Sequence, residues 1–292
     1  MNGIILIDKP LGKTSHDMVY FVRRLTGIKK VGHTGTLDPD ASGVLPVCIG
    51  KATKVCDMLT VSDKEYIAAL AFGKTTDTQD ASGRILSECE VKAGQSDIEN
   101  TIKKFIGEIE QIPPMFSAVK KDGKKLYELA RQGISVEREP RKVNIYNIEI
   151  LNINMKEKTA EIRVMCSKGT YIRTLCEDIG NSLGCGAYMK SLRRTKSGGF
   201  SINDCRTGEE LLAVKEKNML DDVIIPIDSL FLCYEQVILD DFLSAKLKNG
   251  IRIRRTGLSE GKMYRVYDGS KNFLALCRYN GAELVCEKTF WS

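Results

Sequence analysis

Gly32-His33-Thr34-Gly35-Thr36-Leu37-Asp38-Pro39-Asp40-Ala41-Ser42-Gly43-Val44-Leu45-Pro46-Val47 is the most informative run of the chain. It packs three glycines, two prolines, one histidine and two carboxylates between two apolar segments, the composition of a loop. Glycine lets backbone approach a ligand closely, and Pro39 stiffens the position after Asp38. On composition alone an ordinary turn would account for it. Neither Gly-x-x-x-x-Gly-Lys-Ser/Thr nor Gly-x-Gly-x-x-Gly occurs in the run, which argues against the phosphate loop of a nucleotide hydrolase. Ionisable groups on a loop between rigid elements are nevertheless where binding and catalytic side chains concentrate.

Working outward, Gly3 to Asp8 reads as a short strand closed by the turn Lys9-Pro10-Leu11-Gly12. Ser15 is expected to cap a helix with Met18, Phe21, Val22 and Leu25 on its apolar face and Gly27 as its stop. Lys64 to Phe72 reads as a buried strand. Ser96 and Glu99 form the pattern of a capping box, with Ile98, Ile102, Phe105, Ile106 and Ile109 as the stripe behind it, and Pro113-Pro114 ends that region. Lys142 to Asn154, with one slip in phase, and Ala160 to Cys166 alternate apolar and polar residues, as antiparallel neighbours joined near Lys156-Glu157-Lys158 would. Tyr171 to Leu183 returns to helical spacing through Ile172, Leu175, Cys176, Ile179 and Leu183, with Gly184 as the stop. After about residue 235 the texture changes to short strands and Gly-containing turns, which predicts a compact all-β appendage. This irregular order of strands and helices predicts an α+β body rather than a doubly wound parallel sheet.

The 292 residues are 42% hydrophobic and 28% charged, which excludes wholesale disorder and fibrous repeats and suits about two domains. The longest apolar runs, Tyr66 to Phe72 and Val223 to Tyr234, are short or broken, so no membrane association is expected. The N-terminus lacks a basic leader region, and a cytoplasmic protein is the expectation. The ten cysteines are never closer than eight residues apart and only His16 and His33 are available as imidazoles, so no metal is expected and the thiols read as small buried hydrophobes. A formal charge of +6 says little, but its distribution says more. Lys120 to Lys142 holds eight basic against four acidic side chains, and further clusters occur at Lys190-Arg193-Arg194-Lys196 and Arg252-Arg254-Arg255. Three such clusters suit an anionic polymer, because phosphate neutralisation is the main sequence-independent source of nucleic-acid affinity.

The run Gly32 to Pro39, followed by Ala41-Ser42-Gly43-Val44-Leu45-Pro46, closely resembles the catalytic-aspartate motif of the TruB family of tRNA pseudouridine synthases. The resemblance continues through Lys9-Pro10-Leu11-Gly12-Lys13-Thr14-Ser15, Lys64-Glu65-Tyr66 and the segment Gly73 to Gly83. It extends over Gln111 to Lys120, Tyr127 to Gly133, Gly169 to Leu175 and Leu192-Arg193-Arg194-Thr195, in the family's order. It implies a mixed, mainly antiparallel sheet flanked by helices over residues 1–234, with a mobile thumb inserted at about 115–142. A small β domain of the PUA RNA-binding type would occupy residues 235–292. The implied reaction detaches the uracil of uridine 55 in the TΨC loop of tRNA, rotates it and reattaches it through C5, without cofactor or metal.

By the same resemblance Asp38 is the catalytic carboxylate, and Arg173 is its partner. The physical reason is that burial raises an aspartate's pKa and a permanent cation opposes that. Tyr66 would stack on the extruded base and take part in proton transfer, Tyr171 and Leu192 would complete the uracil pocket, and His33 would fill the space the base leaves in the RNA loop. Lys120, Lys121, Lys124, Arg131, Arg193 and Arg194 are expected on RNA phosphates, with the T-arm of tRNA as partner and a monomeric protein. His16 reads as an ordinary surface residue of the early helix. The rival readings are a non-catalytic RNA-binding protein or tRNA folding chaperone, a guide-RNA-dependent relative and a two-carboxylate glycosidase. Intact Asp38, Tyr66 and Arg173 disfavour the first. The thumb insertion disfavours the second, and the want of a role for Asp40 as a matched acid disfavours the third.

Overall fold

The computed structural model describes residues 1–121 and 123–291. Asp122, counted above in the charge of the basic segment, and Ser292, the expected end of the C-terminal domain, lie outside the described residues. The chain opens with β1 (Gly3–Lys9), α1 (Ser15–Thr26), β2 (Val31–His33), β3 (Ala41–Ile49) and β4 (Lys64–Phe72). The main sheet runs β1, β3, Ala187–Ser197, β4, Thr159–Cys166, Arg141–Asn154 and Gly107–Gln111, with β2 on the edge of β3. Neighbours along it are antiparallel except β3 and Ala187–Ser197, which run parallel. The phase slip in Arg141–Asn154 is an irregularity of register between Ile145 and Asn147, where the strand leaves step with Thr159–Cys166.

Helix α1 buries Met18, Val19, Val22 and Leu25 against β1 and β3, each side chain worth roughly 1.5–3 kcal/mol. Its start differs from the expectation. Thr14 is the cap, its hydroxyl accepting from Asp17 N at 3.0 Å while Asp17 accepts from Thr14 N at 2.8 Å. Ser15, one residue inside, is buried and turned toward the Asp38 loop. The second expected cap is also displaced. Gly94 precedes the helix Gln95–Lys103 with Asp97 accepting from its N–H at 2.9 Å, while Glu99 pairs on the helix surface with Gln95.

The helix Ile172–Ser182 packs on the sheet through Leu175, Cys176 and Ile179, which are fully buried. Gly180 lies against the backbone at Gly186–Ala187, where a Cβ would overlap it. Gly43 matters more for the site. Parallel pairing sets it opposite Arg194, φ is +109°, and a Cβ there would run into the Arg194 backbone.

Residues 235–289 form a separate five-stranded sheet around Val266, Leu274, Ala275 and Cys277. The expected all-β appendage also contains a helix, Asp241–Lys248, started by Asp240 accepting from Leu243 N at 2.8 Å. This sheet shares an apolar cluster with the body, in which Leu276 and, just past the last strand, Phe290 join Ile4, Leu6, Cys48 and Phe231. The ten cysteines are free thiols; five are buried, three half-buried, and Cys89 and Cys233 are exposed. Among the described residues no helix is long and apolar enough to cross a membrane, and no group of three or more His, Cys, Asp or Glu is placed to hold a metal.

Candidate active site

The loop between β2 and β3 is held from below by groups that the sequence scatters. The Ser15 hydroxyl accepts from Leu37 N at 2.8 Å and donates to Leu37 O at 3.1 Å. Lys9, fully buried, donates its Nζ to the carbonyls of Pro10, Lys13 and Pro39 at 2.9, 2.5 and 3.4 Å, and burial pulls its pKa down to about 8. The Asp38 carbonyl accepts from Ala41 N at 3.1 Å, which sets the corner at which the carboxylate leaves the loop. These bonds fix Asp38 as a rigid projection into a cleft.

Asp38 meets Arg173 there, Oδ2 to Nε at 3.1 Å. Arg173 is 6% exposed and every part of its fork is used. Nη1 donates to Thr78 O at 3.1 Å and lies 3.5 Å from Asp80 Oδ2, while Nη2 donates to Phe116 O at 2.8 Å. Asp80 is itself oriented by the hydroxyls of Thr78 and Ser82, both at 2.6 Å. The segment carrying Thr78 and Asp80 is clamped to the helix Ile172–Ser182 by Gln79. That residue has a left-handed φ of +64°, accepts from the Thr174 hydroxyl at 2.9 Å and donates to Glu177. The geometry is a guanidinium shared by two carboxylates, Asp38 the more open and Asp80 the more buried.

The electrostatics follow from this. Packing around the cleft raises the pKa of Asp38, Arg173 works against that rise, and the charge of Asp80 adds to it. Its side chain still keeps 39% of its surface open to the cleft, so the carboxylate is at once desolvated and reachable.

One cavity of about 340 Å³ brings together Asp38, Tyr66, Tyr171, Arg173 and Leu192. Burial pushes the Tyr66 hydroxyl above its ordinary range. Tyr171 precedes the helix Ile172–Ser182, and its backbone is gripped at both ends by Gln111, whose amide accepts from Tyr171 N at 3.0 Å and donates to Tyr171 O at 3.2 Å. An adjoining cavity of about 760 Å³ shares Asp38 and Arg173 and carries His33, whose Nδ1 accepts from Gly35 N at 3.3 Å. Burial lowers the His33 pKa.

The basic residues divide. Arg131 borders the larger cavity with Lys125 and Tyr127. Lys120 and Lys121 lie on a two-stranded arm, Lys120–Lys121 with Lys124–Lys125, and Lys121 donates to Glu137 O at 2.5 Å. Arg193 is tied to Asp8 at 2.7 Å and to the Ser42 hydroxyl at 3.2 Å, and lines neither cavity of the cleft. Arg194 does not meet the expectation of a phosphate contact at the surface. It is 1% exposed, its Nε donates to Val44 O at 2.8 Å and its Nη2 to Gly35 O at 3.2 Å, so it braces both ends of the Asp38 loop from inside. Asp80, Gln111 and Lys9 build the site from within motifs in which the sequence suggests no part for them, and Ser15, expected as a helix cap, holds the Asp38 loop instead.

A mixed sheet that sets a buried, arginine-paired carboxylate beside a cavity of this size is shared with proteins of known structure and sequence. The chain aligns over 99% of its length with 85% of a chain in the crystal structure of a Cbf5-Nop10-Gar1 complex, at a TM-score of 0.70 and 29% identity. It is 47% identical over 276 residues to the tRNA pseudouridine synthase B of Clostridium tetani, covering 93% of each chain. It is 51% identical over 253 residues to that of Alkaliphilus oremlandii, covering 87% of this chain and 83% of the relative. Residues 23–172 match the family described as "TruB family pseudouridylate synthase (N terminal domain)" and residues 173–232 the "tRNA pseudouridylate synthase B C-terminal domain". The chain belongs to the TruB family of pseudouridylate synthases.

Proposed function

We propose that this chain is an isomerase that converts uridine 55 in the TΨC loop of tRNA to pseudouridine, and that Asp38 is its central catalytic group. The observation that carries this reading is the Asp38 carboxylate, paired with Arg173 at 3.1 Å, facing Tyr66, Tyr171 and Leu192 across a cavity large enough for a nucleobase. A uridine in a folded loop is stacked and paired, so it must be extruded, at a cost of a few kcal/mol returned by stacking and hydrogen bonds in the pocket. Tyr66 supplies the stacking ring and a hydroxyl near C5, Tyr171 and Leu192 close the pocket, and His33 takes up the space vacated in the RNA loop. Attack at C6, attack at C1′ and proton abstraction leading to a glycal all call on the same carboxylate. In each the isomerisation is redox-neutral and carried by protein side chains.

Residues 1–234 form the catalytic domain in this reading. The thumb at about 115–142 closes over the T-stem with Lys120, Lys121, Lys124 and Arg131 toward phosphates. Residues 235–292 act as a PUA-type RNA-binding domain. The protein works as a monomer in the cytoplasm. Incubating an unmodified tRNA transcript with the protein and mapping pseudouridine by carbodiimide-dependent primer-extension stops tests the site. A single new stop at position 55 is expected; no stop, or a stop at another uridine, overturns the assignment.

A further inference from the structure

Helix α1 carries on its outward face a ladder that the catalytic group does not use, tied to the body where the half-buried Arg23 donates Nη2 to Val31 O at 3.5 Å. His16, Tyr20 and Arg23 recur at helical spacing on one side. The His16 and Tyr20 rings meet edge to face at 4.7 Å and 82°, and the Arg23 guanidinium lies 5.4 Å from the Tyr20 ring centroid. Tyr20 is 53% exposed, and His16 and Arg24 are exposed. From Lys13 to Lys30 there are five basic residues and one acid, Asp17, which is spent on the helix cap.

The ladder begins inside the site. His16 borders the same 760 Å³ cavity as Asp38 and His33, on whose thumb side stand Lys125, Tyr127 and Arg131. That thumb wall has the same construction, with Lys125 Nζ at 5.4 Å and Arg131 Cζ at 5.5 Å from the Tyr127 ring centroid. The cleft over Asp38 therefore has an aromatic–cation cluster on the thumb and another leading away along α1.

We propose that the outward face of α1 is the second wall of the RNA cleft, along which the strand continuing from the extruded nucleotide is held. Tyr20 offers its ring to a base or ribose outside the uracil pocket, and Lys13, Arg23 and Arg24 neutralise the adjoining phosphates. Alternating π surface and fixed cations is how proteins hold single-stranded nucleic acid without reading its sequence. The proposal rests on the reading of the chain as an RNA-modifying enzyme.

The test is binding of a fluorescent, unmodified T-arm hairpin by wild type, Tyr20→Ala, Tyr20→Phe and Arg24→Gln, with KM and kcat measured beside Kd. Tyr20→Ala is expected to weaken binding about tenfold, with the loss in KM rather than kcat, and Tyr20→Phe to restore it. Arg24→Gln is expected to lower the slope of log K against log salt by about one counterion. Unchanged hairpin affinity in Tyr20→Ala, or a loss confined to kcat, overturns the proposal. If wild type binds the hairpin but does not isomerise it, the catalytic reading falls and the α1 wall is still decided by Kd. If wild type does not bind RNA, both fall.

Discussion

The floor of the cleft and the thumb above it are built on opposite principles. On the floor, Arg173, Asp80, Arg194 and Lys9 are charged side chains almost wholly out of water: the three cations donate to carbonyls or carboxylates, and Asp80 accepts from the Thr78 and Ser82 hydroxyls beside the Arg173 guanidinium. The thumb is a short two-stranded arm and a six-residue helix, anchored by Leu126 and Leu129 and otherwise covered by exposed charge. Buried, paired charges are costly to disturb and hold geometry, whereas exposed charges cost little to move and act through the field they make. The proposed function places catalysis in the first region and RNA affinity in the second.

Substitutions that break this division should separate cleanly. The largest effect is expected from Arg173→Lys, which keeps the charge but loses the fork to Asp38, Thr78, Asp80 and Phe116. Single-turnover rates should fall by about 10²–10³ while hairpin affinity is retained. Equal loss in rate and affinity would mean that the floor also grips RNA.

Adjacent arginines give the next contrast, read in urea denaturation. Arg194→Ala should cost about 2–4 kcal/mol, because it leaves the Val44 and Gly35 carbonyls without their donor. Arg193→Ala removes a half-exposed ion pair and should cost under about 1 kcal/mol. Similar costs would refute the interior role of Arg194.

Asp80→Asn should slow turnover by roughly tenfold to a hundredfold by loosening Arg173. Its pH signature is more specific. Asp38 must be ionised to react and its pKa lies above the ordinary aspartate value, so the rate falls as pH drops through that raised value. Asp80 contributes to the rise, so removing its charge should move the acid limb to lower pH; a move upward would contradict the arrangement.

The smallest effects belong to the thumb. Lys120→Gln with Lys121→Gln should weaken hairpin binding severalfold and reduce the salt slope by about two, with the single-turnover rate at saturation little changed. Amide exchange across 115–142 should slow when RNA binds; equal protection in both states would deny that the thumb closes.

The same division explains what could be read from the chain alone. The strand at Lys64, the helix after Tyr171 and the loop around Asp38 announce themselves by local periodicity and by the motif. The fate of Arg194 is hidden as long as the basic residues between Lys190 and Lys196 are read as one cluster. In a strand successive side chains take opposite faces, so Arg194 shares the inner face with Leu192 while Arg193 turns to Asp8. That alternation was available in the sequence. The parts of Asp80 and Gln111 were not, because each depends on a partner dozens of residues away. Thr14 and Ser15 are adjacent and both suited to cap a helix; only the approach of Leu37 to Ser15 decides between them. The helix at Asp241 did carry a local signal, Asp240 as its cap, in a stretch whose surroundings read as strands.

The most direct test of the central claim follows release of label from C5 of uridine in an unmodified tRNA transcript or its T-arm hairpin, with wild type and Asp38→Ala. Wild type should release label without added metal or nucleotide, and Asp38→Ala should be slower by about 10⁴-fold or more while still binding the hairpin. Release that survives in Asp38→Ala would contradict the assignment of Asp38, and tight binding by wild type without release would leave an RNA-binding protein in place of an isomerase.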